Sequence, residues 1–243
     1  MSQLGDLATE DTRIHEINPH GSSKGDGASI DEWSDLDVLM VTPEPVEVAE
    51  AFAERIGSRL VPLFTSQRGG DSRRYTLRMV LVDLRRIDIT AVVPTGVMPA
   101  GSGEDSSLDT AAAGENGAMK DLINDFRFDA VLAAVKAARD DILIGGHLTL
   151  QLARHVLVAA VLLRDREAGT SHHRFGGTQW DAWATVLGSA PGPYTRRDVT
   201  KAIRHYTDAL TDLVTAWDPR DRPDNGPLLA LLDAVDDSTR RSS

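Results

Sequence analysis

Between Ser34 and Thr42 apolar and polar side chains alternate with a period of two. Leu36, Val38 and Met40 fall on one face of an extended chain, and Asp35 and Asp37 on the other. The pattern predicts a strand buried on one side. Two further β-type runs, Tyr75 to Val82 and Arg86 to Val93, are joined by Asp83-Leu84-Arg85 in the manner of a hairpin. In the second of them Ile87, Ile89 and Ala91 share one face, opposite Arg86, Asp88 and Thr90. Arg13 to Asn18 predicts a short first strand closed by Pro19, which has no amide donor for a ladder. Leu60 to Phe64 predicts another. Among these strands, Val46, Ala49, Phe52, Ala53 and Ile56 recur at helical spacing and predict a helix from Val46 to Arg59. Residues 1–12 are polar and are expected to be frayed or loosely docked.

From Met119 onward the period changes to that of helices. Leu122, Phe126, Val131, Ala134 and Val135 mark one helix ending near Arg139, and Ile142 to Arg166 a longer one stopped around Gly169. A third begins at Thr195, where Thr-Arg-Arg-Asp resembles a capping box with aspartate in the acidic position, and runs to Trp217. Pro219 and Pro223 break it, and Leu228 to Val235 predicts a short last helix. Residues 94–118 carry Pro94, Pro99 and many glycines, serines and acids, as a surface loop or linker does. The expected architecture is α+β. A mixed sheet with helices occupies residues 1–98, a loop or linker 99–118, and a C-terminal helical bundle 119–243.

Composition narrows the chemistry. The chain of 243 residues has room for one large domain or two modest ones. Its net charge of −11, with no visible basic stripe, argues against a nucleic-acid backbone as partner. An acidic surface suits a cationic small molecule and otherwise serves solubility. With no cysteine there is no disulfide framework, zinc–thiolate site or thiol nucleophile. The opening Met-Ser-Gln-Leu-Gly-Asp lacks the basic and apolar regions of a signal peptide. The apolar run Val156 to Leu163, flanked by Arg154 and Arg164, is too short to span a bilayer. A cytoplasmic protein with no membrane partner is expected.

The two aspartates of the first pattern carry the candidate chemistry. Side by side on one face, Asp35 and Asp37 repel each other unless a cation lies between them. A hard divalent ion such as Mg²⁺ fits carboxylate and phosphate oxygens. The Gly21-Ser22 turn offers backbone amides and a hydroxyl to phosphate. Asp88 adds a third carboxylate on a later strand, either as a further metal ligand or as the base for an attacking hydroxyl. Metals held this way bridge the phosphates of a nucleotide and stabilise both oxygens of an in-line displacement. Gly101-Ser102-Gly103 lacks the context of a dinucleotide fingerprint. Lys24 can touch phosphate or be merely solvated. His147, Gln151 and Arg154 lie on one helical face, lining a ligand pocket or forming an interhelical network. His172-His173 is read as surface structure, and Trp180, Trp183, Tyr194 and Tyr206 as packing or a substrate wall.

Gly21-Ser22 with Asp35-x-Asp37 and Asp88 resembles the active-site signature of the DNA polymerase β-like nucleotidyltransferase superfamily. More narrowly, the stretches from Gly21 to Gly27, Asp31 to Asp37 and Arg86 to Thr90 resemble the bacterial antibiotic nucleotidyltransferases, the lincosamide and aminoglycoside adenylyltransferase-like group in particular. Residues 147–154, 162–169 and 172–177 are similar to the C-terminal bundle of that group. The resemblance implies a nucleotidyltransferase fold with Gly21 and Ser22 on the triphosphate and Asp35 and Asp37 on Mg²⁺. Asp88 would be ligand or base, and Lys136 would face the cleft with a charge for phosphate. It implies transfer of a nucleoside monophosphate, usually AMP from ATP, to a hydroxyl, with pyrophosphate leaving. The helix that usually precedes the first strand is nearly absent from the sequence pattern.

The expected function is therefore Mg²⁺-dependent nucleotidyl transfer from a nucleoside triphosphate to a hydroxyl-bearing small molecule, a lincosamide or aminoglycoside antibiotic among the candidates. The acceptor is expected between the two halves, and the apolar stripe of the final helices is core or a homodimer interface. Two alternatives stand beside it. One is a protein adenylyltransferase acting on a partner such as a toxin; the other is a nucleotide-binding regulatory module without turnover.

Overall fold

The computed structural model describes residues 2–20, 31–94, 115–169 and 177–241. The fold is α+β, a five-stranded mixed sheet with helices and a C-terminal helical region. The chain divides into two compact units, Met1–Ala112 and Ala113–Ser243.

In the first unit the elements are α1 (Ser2–Ala8), β1 (Glu16–Pro19), β2 (Leu36–Val41), α2 (Pro45–Arg59), β3 (Leu63–Gly70), β4 (Arg74–Leu81) and β5 (Arg86–Val92). The strands lie in the order β1-β2-β5-β4-β3. β2 and β5 run parallel, while β1–β2, β4–β5 and β3–β4 are antiparallel. A parallel pair needs a crossover, and α2 with the β3–β4 hairpin supplies it. The predicted alternation holds: Val38, Met40, Leu77, Met79, Ile89 and Ala91 are buried against Val48, Ala49, Phe52 and Ile56 of α2. That core fixes which side chains point the other way. A slip of one residue in either central strand would turn its aspartate into this core.

Two expectations for this unit are overturned. The first residues are not frayed: α1 buries Leu4, Leu7 and Ala8 in the core cluster. A helix before β1 is present after all. Three apolar positions at i, i+3 and i+4 in seven residues are enough to dock it, though too few to stand out in a polar stretch. Ion pairs fasten its exit. Arg59 of α2 meets Glu10 at 2.6 Å, and Asp11 lies between Arg13 (2.9 Å) and Arg55 (3.0 Å). The Arg13 hydrogen bond holds the Asp11 carboxyl well below the usual range, at about 2. The second correction concerns β3, which begins at Leu63 and continues to Gly70. Its polar end, Gln67 to Gly70, carries no apolar signal and is recruited by pairing with β4. Gly70 closes that hairpin at φ +107, where a Cβ would lie 2.1 Å from the carbonyl oxygen of Arg74. Only glycine fits there.

The second unit comprises α3 (Glu115–Ala138), α4 (Ile142–Ala168), a 3₁₀ turn at Gln179–Ala182, α5 (Trp183–Gly188), α6 (Arg196–Trp217) and α7 (Gly226–Arg241). Asp141 caps α4 by accepting from the Ile144 amide (3.4 Å), and Gly169 ends the helix in the left-handed region. Thr195 caps α6 as its sequence predicts, accepting from the Asp198 amide at 3.2 Å. Gly145 lets α3 and α4 approach closely, since a Cβ there would lie 3.2 Å from the Ala133 carbonyl oxygen. The last helix, α7, is longer than expected and α3 starts earlier, at Glu115. The short elements from Gln179 to Gly188 were not predicted, because all their residues are at least partly exposed and leave no buried stripe. By length and composition alone α4 is apolar enough to cross a membrane, as core helices also can be. Leu152, Val156, Ala159 and Leu163 bury its inner face within the unit. Of the loop or linker expected at residues 99–118, residues 99–114 lie outside the described residues, and residues 115–118 instead open α3.

Candidate active site

The polar face of the sheet is built by the same alternation that fills the core. With Leu36, Val38 and Met40 turned toward α2, Asp37 and Leu39 must face away. β5 repeats the arrangement, so Asp88 and Thr90 lie on the side opposite Ile87, Ile89 and Ala91. The parallel register sets Asp37 directly beside Asp88, on strands about 4.8 Å apart. Asp35, expected inside a strand from Ser34 to Thr42, stands immediately before β2, one step outside it. Its position is set by a turn in which Asp31 Oδ1 accepts from the Trp33 amide (3.0 Å) and the Ser34 hydroxyl (2.8 Å).

Burial pushes the Asp88 carboxyl up to about 6; the Arg78 charge acts against this, Asp35 and Asp37 add to it, and Arg86 opposes it more weakly. The three carboxylates thus share one field. Arg78 of β4 is paired in register with Asp88 on the side away from Asp37, and its Nε lies 3.3 Å from Asp88 Oδ2. Arg86, buried at 9% exposure, donates from its guanidinium to the carbonyl oxygen of Trp33. That bond ties the start of β5 to the turn carrying Asp35. The His20 amide donates to the Asp37 carbonyl at 2.9 Å, which brings the residue before Gly21 to the same strand end.

The donor chemistry suits a hard divalent cation: carboxylate oxygens only, two of them on adjacent strands, with an unfavourable mutual repulsion to relieve. Asp35, Asp37 and Asp88 are the residues that would hold it. Among the described residues, however, no three acidic or imidazole groups converge closely enough to enclose a metal ion. Asp88 Oδ2 instead has Arg78 Nε at 3.3 Å. The carboxylates are electrostatic neighbours without being a closed coordination shell.

Two comparisons found nothing: no protein-family profile and no curated protein matches the chain. Solved structures do show a likeness. One is an aminoglycoside 6-adenyltransferase from Bacillus subtilis, 13% identical, covering 98% of this chain and 97% of that one with a TM-score of 0.33. Another is the CD-NTase CdnG of Bradyrhizobium diazoefficiens in complex with GTP, 12% identical, covering 97% and 91% with a TM-score of 0.26. At these scores the likeness carries no argument about chemistry, which is read here from the residues themselves.

The other predicted site residues are placed as follows. Gly21, Ser22 and Lys24 lie outside the described residues, as do His172 and His173. Lys136, near the end of α3, pairs with Asp141 at 3.4 Å, so its charge already has a structural partner. His147, Gln151 and Arg154 share a face of α4 as expected, with His147 and Arg154 exposed and Gln151 half-buried. No side-chain hydrogen bond joins any of the three to another of the described residues. Exposed Leu143, Leu150 and Leu157 alternate with them.

Sequence reasoning missed Arg78. If Asp83 to Arg85 formed the whole hairpin link, Val82 would meet Arg86 and Val80 would meet Asp88. Instead the Leu81 amide bonds to the Arg85 carbonyl (2.9 Å), Leu84 adopts φ 69, and Val80 meets Arg86. That shift of two residues sets Arg78 opposite Asp88. Sequence reasoning also missed a half-buried pair in the second unit, where His155 Nε2 lies 3.0 Å from Asp129 Oδ2.

Proposed function

We propose that this protein is a nucleotidyltransferase that moves a nucleoside monophosphate, AMP from ATP in the first instance, to a hydroxyl of a small molecule and releases pyrophosphate. The observation that carries the reading is the in-register pair Asp37–Asp88 on the polar face of a parallel strand pair, with Asp35 at the mouth of β2. A divalent ion bound there would neutralise phosphate charge and polarise the transferring phosphoryl group.

The chain's own contribution is orientation. Asp35 and Asp37 present oxygens from one strand, and Asp88 presents a third from the next. The α2-backed core keeps both strands from slipping, so the carboxylates hold their spacing without any substrate. Gly21 and Ser22 are assigned to the triphosphate by their resemblance to the family signature. Of the two roles open to Asp88, ligand is favoured, because a cation, Arg78, is already the neighbour it keeps. The acidic chain favours a cationic acceptor, so aminoglycosides come first in the panel and lincosamides second. A cytoplasmic setting goes with this assignment.

The test is pyrophosphate release with Mg²⁺, each nucleoside triphosphate and a panel of aminoglycosides and lincosamides, for the wild type and for Asp37→Asn. Acceptor-dependent release that falls by a factor of about 10² or more in the variant is expected, as for loss of one charged group stabilising a transition state. Release that survives Asp37→Asn unchanged removes the mechanism.

A further inference from the structure

We infer that Arg78 is a positioning residue that serves as a stand-in cation for Asp88 and is displaced when a divalent ion binds. The inference rests on the metal-site reading above and adds to it how that site is kept before the ion arrives.

Asp88 has two neighbours in register. Asp37 lies on the β2 side and Arg78 on the β4 side, so a like charge and an opposite charge flank one carboxylate. Arg78 Nε lies 3.3 Å from Asp88 Oδ2, so this carboxylate has a cation on its β4 side. The pair is unequal in freedom. The Asp88 side chain is 23% exposed in the middle of the sheet, whereas that of Arg78 is 47% exposed. A guanidinium at that exposure returns to water at little cost, while a carboxylate in a central strand stays where the backbone puts it.

The second cation on this face cannot do the same. Arg86 is buried and bonded to the Trp33 carbonyl, so it acts as a strut for the turn before Asp35. Arg78 is therefore the cation that can leave. While Arg78 is in place, one oxygen of Asp88 is engaged by a guanidinium. A divalent ion that takes both carboxylates supplies more charge than the guanidinium and releases it. The exchange lets a pair of aspartates wait side by side without an ion, at the cost of some affinity for that ion.

Mn²⁺ binding to the full-length protein, followed by the loss of the free-ion paramagnetic resonance signal, tests this. Arg78→Gln is expected to bind Mn²⁺ about two- to fivefold more tightly than wild type, the equivalent of one partly exposed ion pair. Arg78→Lys, which keeps a charge on β4, should stay within about twofold of wild type. Arg74→Gln removes an equal charge from an exposed position on the same face of β4, away from Asp88, and should also stay within about twofold. Unchanged or weaker binding in Arg78→Gln overturns the inference, as does equal tightening in Arg74→Gln, which would mean a general field effect. Failure of the underlying reading looks different: Mn²⁺ would bind wild type and Asp37→Asn alike, or neither, and both proposals would fall together.

Discussion

Replacing Asp88 by asparagine is expected to stabilise the first unit while removing the proposed activity. Burial moves the Asp88 carboxyl from 3.8 to about 6, so the folded chain binds its proton more tightly than the unfolded chain does. Below pH 3.8 both states hold the proton and the group is neutral to stability. Between 3.8 and about 6 the unfolded chain ionises first, so stability falls as the pH rises; above about 6 the full loss is present. A tenfold change in proton affinity is worth about 1.4 kcal/mol, which puts the upper bound near ~3 kcal/mol. Solvent at the partly exposed carboxylate reduces the net gain to about 1–2 kcal/mol at neutral pH, the attraction to Arg78 being already contained in the shift. Native-state hydrogen exchange of the β2 and β5 amides reads this unit apart from the helical one. Protection in Asp88→Asn should exceed that of wild type at pH 7.5 by about 1–2 kcal/mol, and the gap should close toward pH 4. An asparagine variant less protected than wild type at pH 7.5 would refute the reasoning. It would show that attraction to Arg78 outweighs burial and the repulsion from Asp35 and Asp37.

Two further outcomes concern the frame that holds the site. Asp11→Asn, which leaves Arg13 and Arg55 without their shared carboxylate, should cost about 1 kcal/mol after discounting for solvent. Because the Asp11 carboxyl is held down at about 2, wild type should lose this contribution as the pH falls from 3.8 toward 2. The acid-unfolding profile of the variant should lack that segment. Phe52→Ala, at a fully buried position of α2 beneath the central strands, should cost about 3–5 kcal/mol in urea unfolding. A cost under about 1 kcal/mol would mean that α2 does not carry the sheet's core.

The strands and helices with strong periodicity were legible from the chain alone. Leu36, Val38 and Met40 announced which face of β2 is buried, and thereby where Asp37 points. Ile87, Ile89 and Ala91 did the same for Asp88. What could not be read was pairing. No local pattern states that β5 inserts between β2 and β4, or that the hairpin turns one residue earlier than its polar link suggests, which shifts the pairing by two. Arg78 therefore stayed invisible as a partner of Asp88, although Arg86 on the next strand was placed on the correct face. α1 was lost for a different reason: its three apolar residues bury well only against α2, a tertiary fact that a window of seven residues does not contain. The exposed turn and helix from Gln179 to Gly188 had no buried face to betray them. They are held instead by polar bonds such as Trp180 Nε1 to Glu167 (2.6 Å).

The strand order has a consequence for how the site comes into being. β5 is the last strand of the unit to leave the ribosome, yet it takes a central position between β2 and β4. Until it inserts, Asp37 has Asp35 but not Asp88 beside it, and Arg78 lacks the Asp88 carboxylate. The two like charges are thus brought together only in the step that completes the sheet. The intervening helix and hairpin make that contact distant in sequence and slow to form. Assembly of the carboxylate pair then marks the end of folding for this unit, and a nascent chain that stops short of Asp88 carries only half of the pair.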